Sequence, residues 1–320
     1  MTTQNRLFCF GYGYSCDYLG HALQLEHELG GAQWQIAGTT RDAGKQEALA
    51  ARGITAHLFD YEHPLNDPHG FLEGTTHLLI STPPDDEGDP TFLMHADDIL
   101  NLKSLQWVGY LSTSGVYGDR GGEWVDESAT LQPGNQRGSR RAKAEGQWMS
   151  LFHARGLPVH IFRLAGIYGP GRSALDSIRA GVARRIDKPG HAFSRIHVED
   201  IVQVLRASME RPNPGEAYNL CDDHPAPSHE VIDHACQLLG RQSPPLIPFD
   251  AADLSPMAQS FYADNKRVKN DRIKAELGVT LKYPNYQAGL QACLDAEEHA
   301  VSLFGGGDDS GGGSNWQPFS

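Results

Sequence analysis

Cysteine is scarce in this chain: five residues, Cys9, Cys16, Cys221, Cys236 and Cys293, are scattered over 320 positions. The odd count and the lack of a C-x-x-C pair speak against a disulfide framework or zinc knuckle; reduced thiols in a cytoplasmic protein fit. Long apolar runs are also missing, and the short polar start Met1 to Arg6 carries no signal-peptide pattern, so neither a membrane span nor export is expected. Positive charge is in deficit, with 27 Lys and Arg against 40 Asp and Glu and a formal net charge of -13. That balance argues against nucleic acid or an anionic membrane as partner, because phosphate contacts need a basic face. No G-x-S-x-G elbow, H-E-x-x-H helix or Walker A loop occurs, and the 15 His show no ligand spacing. Hydrolase, zinc-peptidase and nucleoside-triphosphatase readings lack support, and no metal site is expected.

What the chain does have is 39% apolar residues with 35 Gly and 19 Pro, enough to bury a sizeable core in one or two compact units. The apolar run Leu7 to Phe10 ends in Gly11-Tyr12-Gly13, and Leu19, Ala22, Leu23 and Leu29 then recur at helical spacing. Strand-like runs follow at Trp34–Thr39, Ile54–Phe59, His77–Ser81, Trp107–Leu111 and Val159–Leu164, alternating with helical stretches. Six such strands predict an α/β fold: a doubly wound parallel (Rossmann) sheet over residues 1–170. A smaller C-terminal substrate-side subdomain, interleaved with the sheet, is expected over 171–304. It would hold a helix at Ser173–Arg185, a short strand at Ala217–Leu220 and helices at Ser228–Leu239 and Lys266–Leu277. The glycine-rich stretch 305–320 has no aliphatic residue to bury and is expected to be a flexible tail.

The Gly11-Tyr12-Gly13 turn, with Tyr14 and Ser15 opening the helix, places backbone N–H groups and a positive helix end where a diphosphate would sit. Cys16 stands where G-x-G-x-x-G has its third glycine. At the end of the second strand, Thr39-Thr40-Arg41 offers a guanidinium in place of the acidic residue that holds the ribose hydroxyls of NAD, so NADP is favoured over NAD. Asp60, past the third strand, suits either an adenine contact or a turn and helix cap. Ser81, Thr82 and Pro83, past the fourth, would line the path to the nicotinamide.

Leu111-Ser-Thr-Ser-Gly-Val-Tyr-Gly118, Asp126-Glu127, Arg163-Leu-Ala-Gly-Ile-Tyr-Gly-Pro-Gly-Arg172, His197-Val-Glu-Asp200 and Tyr218-Asn-Leu-Cys-Asp-Asp223 together resemble the extended short-chain dehydrogenase/reductases, the NAD-dependent epimerase/dehydratase group. The segments Asn265-Lys-Arg-Val-Lys-Asn270, Glu276-Leu-Gly278 and Tyr283-Pro-Asn-Tyr286 resemble its atypical branch. The resemblance implies an oxidoreductase or epimerase, with Leu164 and Gly166 beside the cofactor and Thr113 orienting the substrate oxygen. It also implies a catalytic Tyr and, four residues later, a Lys. Those positions hold Arg137 and Arg141. Arg141 could hold the nicotinamide ribose, but an arginine cannot shuttle a proton at neutral pH. Three readings follow: Tyr117 or Tyr168 serves as acid/base, an arginine polarises the substrate, or the dinucleotide is bound without chemistry as in a sensor or scaffold. His197 lies at a family position near the cleft, where a structural role is equally open.

Charge is uneven: from Arg137 to His197, 12 Lys and Arg face 3 Asp and Glu. Arg137, Arg140, Arg141, Arg163, Arg172, Arg179, Arg184, Arg185 and Arg195 would wall the cleft and attract an anionic small molecule, such as a sugar or nucleotide-sugar derivative. The resemblance further implies a homodimer built on the helix carrying Arg141 and one near Leu93 to Leu102.

Overall fold

The computed structural model describes residues 5–304. The stretch 305–320, read above as a flexible tail, lies outside them. The chain runs β1 (Asn5–Phe10), α1 (Tyr14–Glu28), β2 (Trp34–Thr40), α2 (Ala43–Ala51), β3 (Thr55–Leu58), α3 (Pro68–Leu72), β4 (His77–Ile80), α4 (Pro90–Leu100) and β5 (Trp107–Thr113). A 3-10 turn (Ser114–Tyr117) and β6 (Trp124–Val125) lead to α5 (Gln136–Arg155) and β7 (Val159–Leu164). Then come β8 (Gly166–Tyr168), α6 (Ala174–Arg179), β9 (Arg185–Asp187), β10 (Arg195–His197), α7 (Val198–Glu210), β11 (Ala217–Leu220) and α8 (Ser228–Leu238). The chain closes with β12 (Leu246–Pro248), α9 (Pro256–Ala263), β13 (Arg267–Val268), α10 (Asp271–Leu277) and α11 (Tyr286–Phe304).

The main sheet has the order β11-β7-β5-β4-β1-β2-β3, and every pairing in it is parallel. A parallel sheet needs helices on both faces, which is why β1, β4 and β7 read as apolar runs rather than alternating ones. Leu7 to Phe10 are wholly buried. On one face Leu19 and Leu23 of α1 join Val204 and Leu205 of α7 and Ile273 of α10. On the other, Leu72 of α3, Ile99 of α4 and Trp148 of α5 cover Phe8, Leu78 and Val159. Strand order reverses between β1 and β4, the switch point at which open α/β sheets gather ligands.

Three expectations about elements are corrected. The sheet has seven strands, not six: Ala217–Leu220, assigned above to the subdomain, pairs with β7 and covers that strand's open edge, so the chain returns to the sheet after its excursion. The helix expected from Ser173 to Arg185 stops at Arg179, and the chain leaves through Gly181, whose φ of 70° a side chain would resist. Arg185 begins β9, which pairs with β12. Within Lys266–Leu277 the first part is β13, paired with β6, and only Asp271 onward is helical.

Candidate active site at the carboxyl edge of the sheet

Gly11 turns the chain off β1 with φ 81°, and a Cβ there would lie 3.1 Å from the Thr82 nitrogen, so only glycine lets the β1 and β4 loops meet. The amides of this turn are mostly committed to the protein itself. Gly11 N–H donates to Thr39 Oγ1 (2.8 Å), Tyr12 N–H to the Thr39 carbonyl (2.7 Å) and Gly13 N–H to the Gly11 carbonyl (2.8 Å). The Tyr12 ring is buried, and a Cβ on Gly20 would come 2.1 Å from its hydroxyl oxygen. Tyr12 therefore shapes the turn from inside, and the cofactor contact expected of it is corrected: neither its amide nor its ring is free. The Tyr14 and Ser15 amides, which open α1, find no acceptor among the described residues, and Gly13 offers no capping side chain. They form the positive end of a 15-residue helix. Cys16 is buried, and its thiol donates weakly to the Gly11 carbonyl at 3.5 Å.

Around this corner the other strand ends contribute unequally. Arg41 is exposed, and no hydrogen bond or ion pair engages its guanidinium among the described residues. The adjacent Asp42 turns its carboxylate to cap α2 by accepting from Lys45 N–H (2.6 Å). Asp60 accepts from the Glu62 and His63 amides (2.9 Å each) and pairs with the His63 ring (2.8 Å), so of its two expected roles the turn is the one built here. Those bonds, the His63 one foremost, hold its carboxyl below the usual range. The buried Thr82 hydroxyl meets Thr91 Oγ1 at 2.8 Å, leaving Ser81 and Pro83 as the more open part of that segment.

Thr113 closes β5, and Arg141 reaches the ends of β4 and β5 from α5. Thr113 is half-buried, and its Oγ1 accepts from Gly115 N–H at 3.1 Å. It pairs in register with Leu164, while Gly166 lies exposed just beyond. Arg141 reaches over from α5: its Nη1 donates to the Leu111 carbonyl (2.8 Å), the Tyr110 hydroxyl (3.0 Å) and the Thr82 carbonyl (3.3 Å). Its Nε and Nη2 have no acceptor among the described residues. Gly138 makes this approach feasible, since a Cβ there would lie 2.7 Å from the Gly115 carbonyl. Arg137, one turn earlier, is exposed and stands 5.2 Å from the Phe261 ring centre.

The two tyrosines offered as substitutes for the missing phenol do not reach this edge. Tyr117 is fully buried; its hydroxyl donates to Asn219 Oδ1 (2.7 Å) and accepts from Arg163 Nη1 (2.9 Å), and burial pushes its pKa up to about 12. A phenol with both hydrogen-bonding directions occupied inside the core has no face for a substrate, so a catalytic Tyr117 is corrected to a scaffold residue. Tyr168 is likewise buried, its hydroxyl on the Asn285 carbonyl at 3.4 Å and its pKa raised by desolvation. His197 caps α7 by accepting from Glu199 N–H (3.3 Å), and burial pulls its pKa down to about 4. That is the structural role.

The basic wall is also thinner than its sequence suggested. Arg163 forms a buried ion pair with Glu145 (2.8 Å), Arg140 pairs with Asp86, Arg179 with Glu297 and Arg185 with Asp233. Arg195 donates to the Phe193 and Ala226 carbonyls (2.8 and 2.9 Å) and Arg184 to that of Asp253. Arg137, Arg141 and Arg172 are left with donors to spare.

One residue without an assigned role lies near the start of α5. The Lys266 side chain is 10% exposed, with Nζ 3.6 Å from Asp264 Oδ2, and that oxygen also accepts from Asn135 Nδ2 (3.3 Å) at the start of α5. Burial pulls the ammonium below its usual pKa while Asp264 opposes the shift. No local pattern could have flagged it, since Asn135 and Asp264 are 129 positions apart. Among the described residues no cluster of three or more His, Cys, Asp or Glu could hold a metal ion, and no helix is long and apolar enough to cross a membrane.

No protein-family model matches the chain. A solved structure of a functionally unknown conserved protein from Silicibacter pomeroyi is 51% identical, with a TM-score of 0.82, covering 91% of this chain and 99% of that one. Protein YeeZ of Escherichia coli K12 is 26% identical over 275 residues, 82% of this chain and 93% of its own length. UDP-glucuronic acid 4-epimerase of Bacillus cereus, solved in complex with UDP-glucuronic acid and NAD, shares the fold: TM-score 0.72 at 14% identity, over 92% of this chain and 99% of that one. With the seven-stranded parallel sheet and the spaced motifs, these likenesses support a YeeZ-like chain built on the fold that the NAD-bound epimerase also has.

Proposed function

We propose that this protein binds a nicotinamide dinucleotide, NADP in preference to NAD, along the carboxyl edge of its sheet and acts as an oxidoreductase or epimerase on an anionic sugar or nucleotide-sugar derivative. The observation that carries the reading is the pair of acceptor-less amides of Tyr14 and Ser15 at the switch point, a cradle that only a glycine at 11 allows. The free guanidinium of Arg41 at the β2 tip suits a 2'-phosphate, and Ser81, Pro83, Leu164 and Gly166 would flank the nicotinamide end. Asp60 keeps its second carboxylate oxygen for an adenine amino group. The sugar-nucleotide part draws support from the epimerase neighbour, described with UDP-glucuronic acid and NAD. We place the protein in a reducing cytoplasm, on the strength of five free and buried thiols.

When bound, the dinucleotide supplies hydride transfer to or from a carbon of the substrate. The chain's own part is to orient and to balance charge. The Thr113 hydroxyl, with its proton unspent, would donate to the substrate oxygen, and Arg141, fixed across β4 and β5, would present its free N–H groups to a ribose or a developing alkoxide. An arginine at either position does not serve as the proton carrier. Lys266, held part-desolvated beside Asp264, is the group suited to hold and move it. A second reading, a dinucleotide-binding protein without turnover, is favoured by Arg137 and Arg141 standing where the family's acid/base pair would be.

The test begins with NADPH fluorescence on purified protein, followed by absorbance screening of nucleotide sugars and small ketones. Turnover that falls at least tenfold in Thr113→Ala, with an unchanged melting midpoint, supports the enzyme. Tight binding with no oxidation or reduction of any substrate favours the non-catalytic reading, and no binding at all removes both.

A further inference from the structure

Residues 169 to 172, Gly-Pro-Gly-Arg, form a tight turn after β8: Gly169 and Arg172 exchange backbone hydrogen bonds at 3.2 and 3.0 Å, and Gly171 has φ 73°. This turn is fastened to the first residue of α1. The Tyr14 hydroxyl donates to the Pro170 carbonyl at 3.0 Å, and a Cβ on Gly169 would come 2.5 Å from that hydroxyl and 2.6 Å from Val198, so the fit admits only glycine. The consequence is the position of Arg172. Its guanidinium carbon lies 5.6 Å from the Tyr14 ring centre, it is exposed, and none of its guanidinium N–H groups has an acceptor among the described residues. Asp176, the nearest carboxylate in sequence, is taken up in the capping box of α6 with Ser173.

Tyr14 thus joins two unsatisfied positive features, its own amide at the helix end and the guanidinium resting on its ring. Most neighbouring arginines of this stretch have an ion pair or carbonyl partners, so an unpaired one held in place by a tethered turn stands out. We infer that Arg172 is a positioning residue for the cofactor, reaching from the 169–172 turn to form charge-assisted hydrogen bonds with the same diphosphate that the Tyr14 and Ser15 amides receive. The inference rests on the dinucleotide reading above. It assigns Arg172 to the diphosphate and leaves Arg41 the 2'-phosphate, so the two cations make separable demands on a ligand.

Affinities of the full chain for ADP, NADH and NADPH, in Arg172→Gln, Arg172→Lys and Arg41→Glu, test it. Arg172→Gln should weaken all three ligands by roughly tenfold, the contribution of one hydrogen bond to a charged group, with the NADPH to NADH ratio and the melting midpoint unchanged. Arg172→Lys, which keeps the charge and loses the fork, should fall between. Arg41→Glu should change the ratio instead. Wild-type affinity for ADP in Arg172→Gln, or a loss confined to NADPH, overturns the assignment while leaving the cofactor reading intact. Failure of the unaltered protein to bind any of the three overturns both.

Discussion

Two polar regions meet at the carboxyl edge of this sheet, and they are satisfied to opposite degrees. Below β5 and β7, Arg163 forks onto Glu145 (3.2, 3.2 and 2.8 Å), Glu145 takes the Ser112 hydroxyl, Tyr117 links Arg163 to Asn219, and the Asn219 amide donates to Glu127 (2.7 Å). Above β1 and β4, the Tyr14 and Ser15 amides and the guanidinium groups of Arg41 and Arg172 have nothing to bind among the described residues. A buried network with its hydrogen bonds met specifies and stabilises structure. Donors left open beside a turn that only glycine allows do not stabilise the fold in this way, and they are the ones we propose for a ligand. The difference separates the arginines of one charge-rich stretch into partnered and open ones among the described residues, which charge counting could not do.

The strongest challenge to that contrast falls on the satisfied side. Glu145→Ala should cost about 3–5 kcal/mol in chemical denaturation, because it strands the Arg163 cation in a site whose two side chains are 8% and 4% exposed. A loss under about 1 kcal/mol would mean the network does not hold this edge together. On the open side, Gly11→Ala should cost about 2 kcal/mol through its φ of 81° and its crowding of Thr82, and should abolish dinucleotide binding, read by NADPH fluorescence. Arg41→Glu should leave the melting midpoint alone and weaken NADPH relative to NADH by about thirtyfold, near 2 kcal/mol. Equal loss of both would take the 2'-phosphate from Arg41. Smallest is Tyr117→Phe, expected to destabilise by about 1 kcal/mol through its bonds to Asn219 and Arg163 and to leave turnover within about twofold. A collapse of kcat there would return Tyr117 to the chemistry.

Much of the architecture was legible because its signals are local. The strand, glycine turn and helix at residues 7 to 29 announce themselves by period, and so do the apolar runs of β4, β5 and β7. Ala217–Leu220 reads as a strand, but its place in the main sheet does not follow from the sequence, because pairing with β7 is a contact across more than fifty residues. The site divides the same way. The Gly11 turn and Arg41 are read from the strand, turn and helix pattern, and Thr113 and Arg141 from the resemblance. That Tyr12 spends its amide on Thr39, that Asp60 closes a turn, and that Tyr117 and Tyr168 point inward are matters of packing that no motif encodes.

By itself the sequence determined the class of fold, the glycine corner after β1, and the presence of arginine at 137 and 141 where the resemblance implies a Tyr and a Lys, since periodicity, glycine and residue identity act locally. Only the tertiary structure decided which arginines are neutralised and which remain open, because a charge is cancelled by whatever carboxylate or carbonyl the folding brings beside it. Arg163 and Arg172 lie nine residues apart in one motif. One is locked against Glu145 within the core, and the other rests uncommitted on Tyr14 beside the helix end.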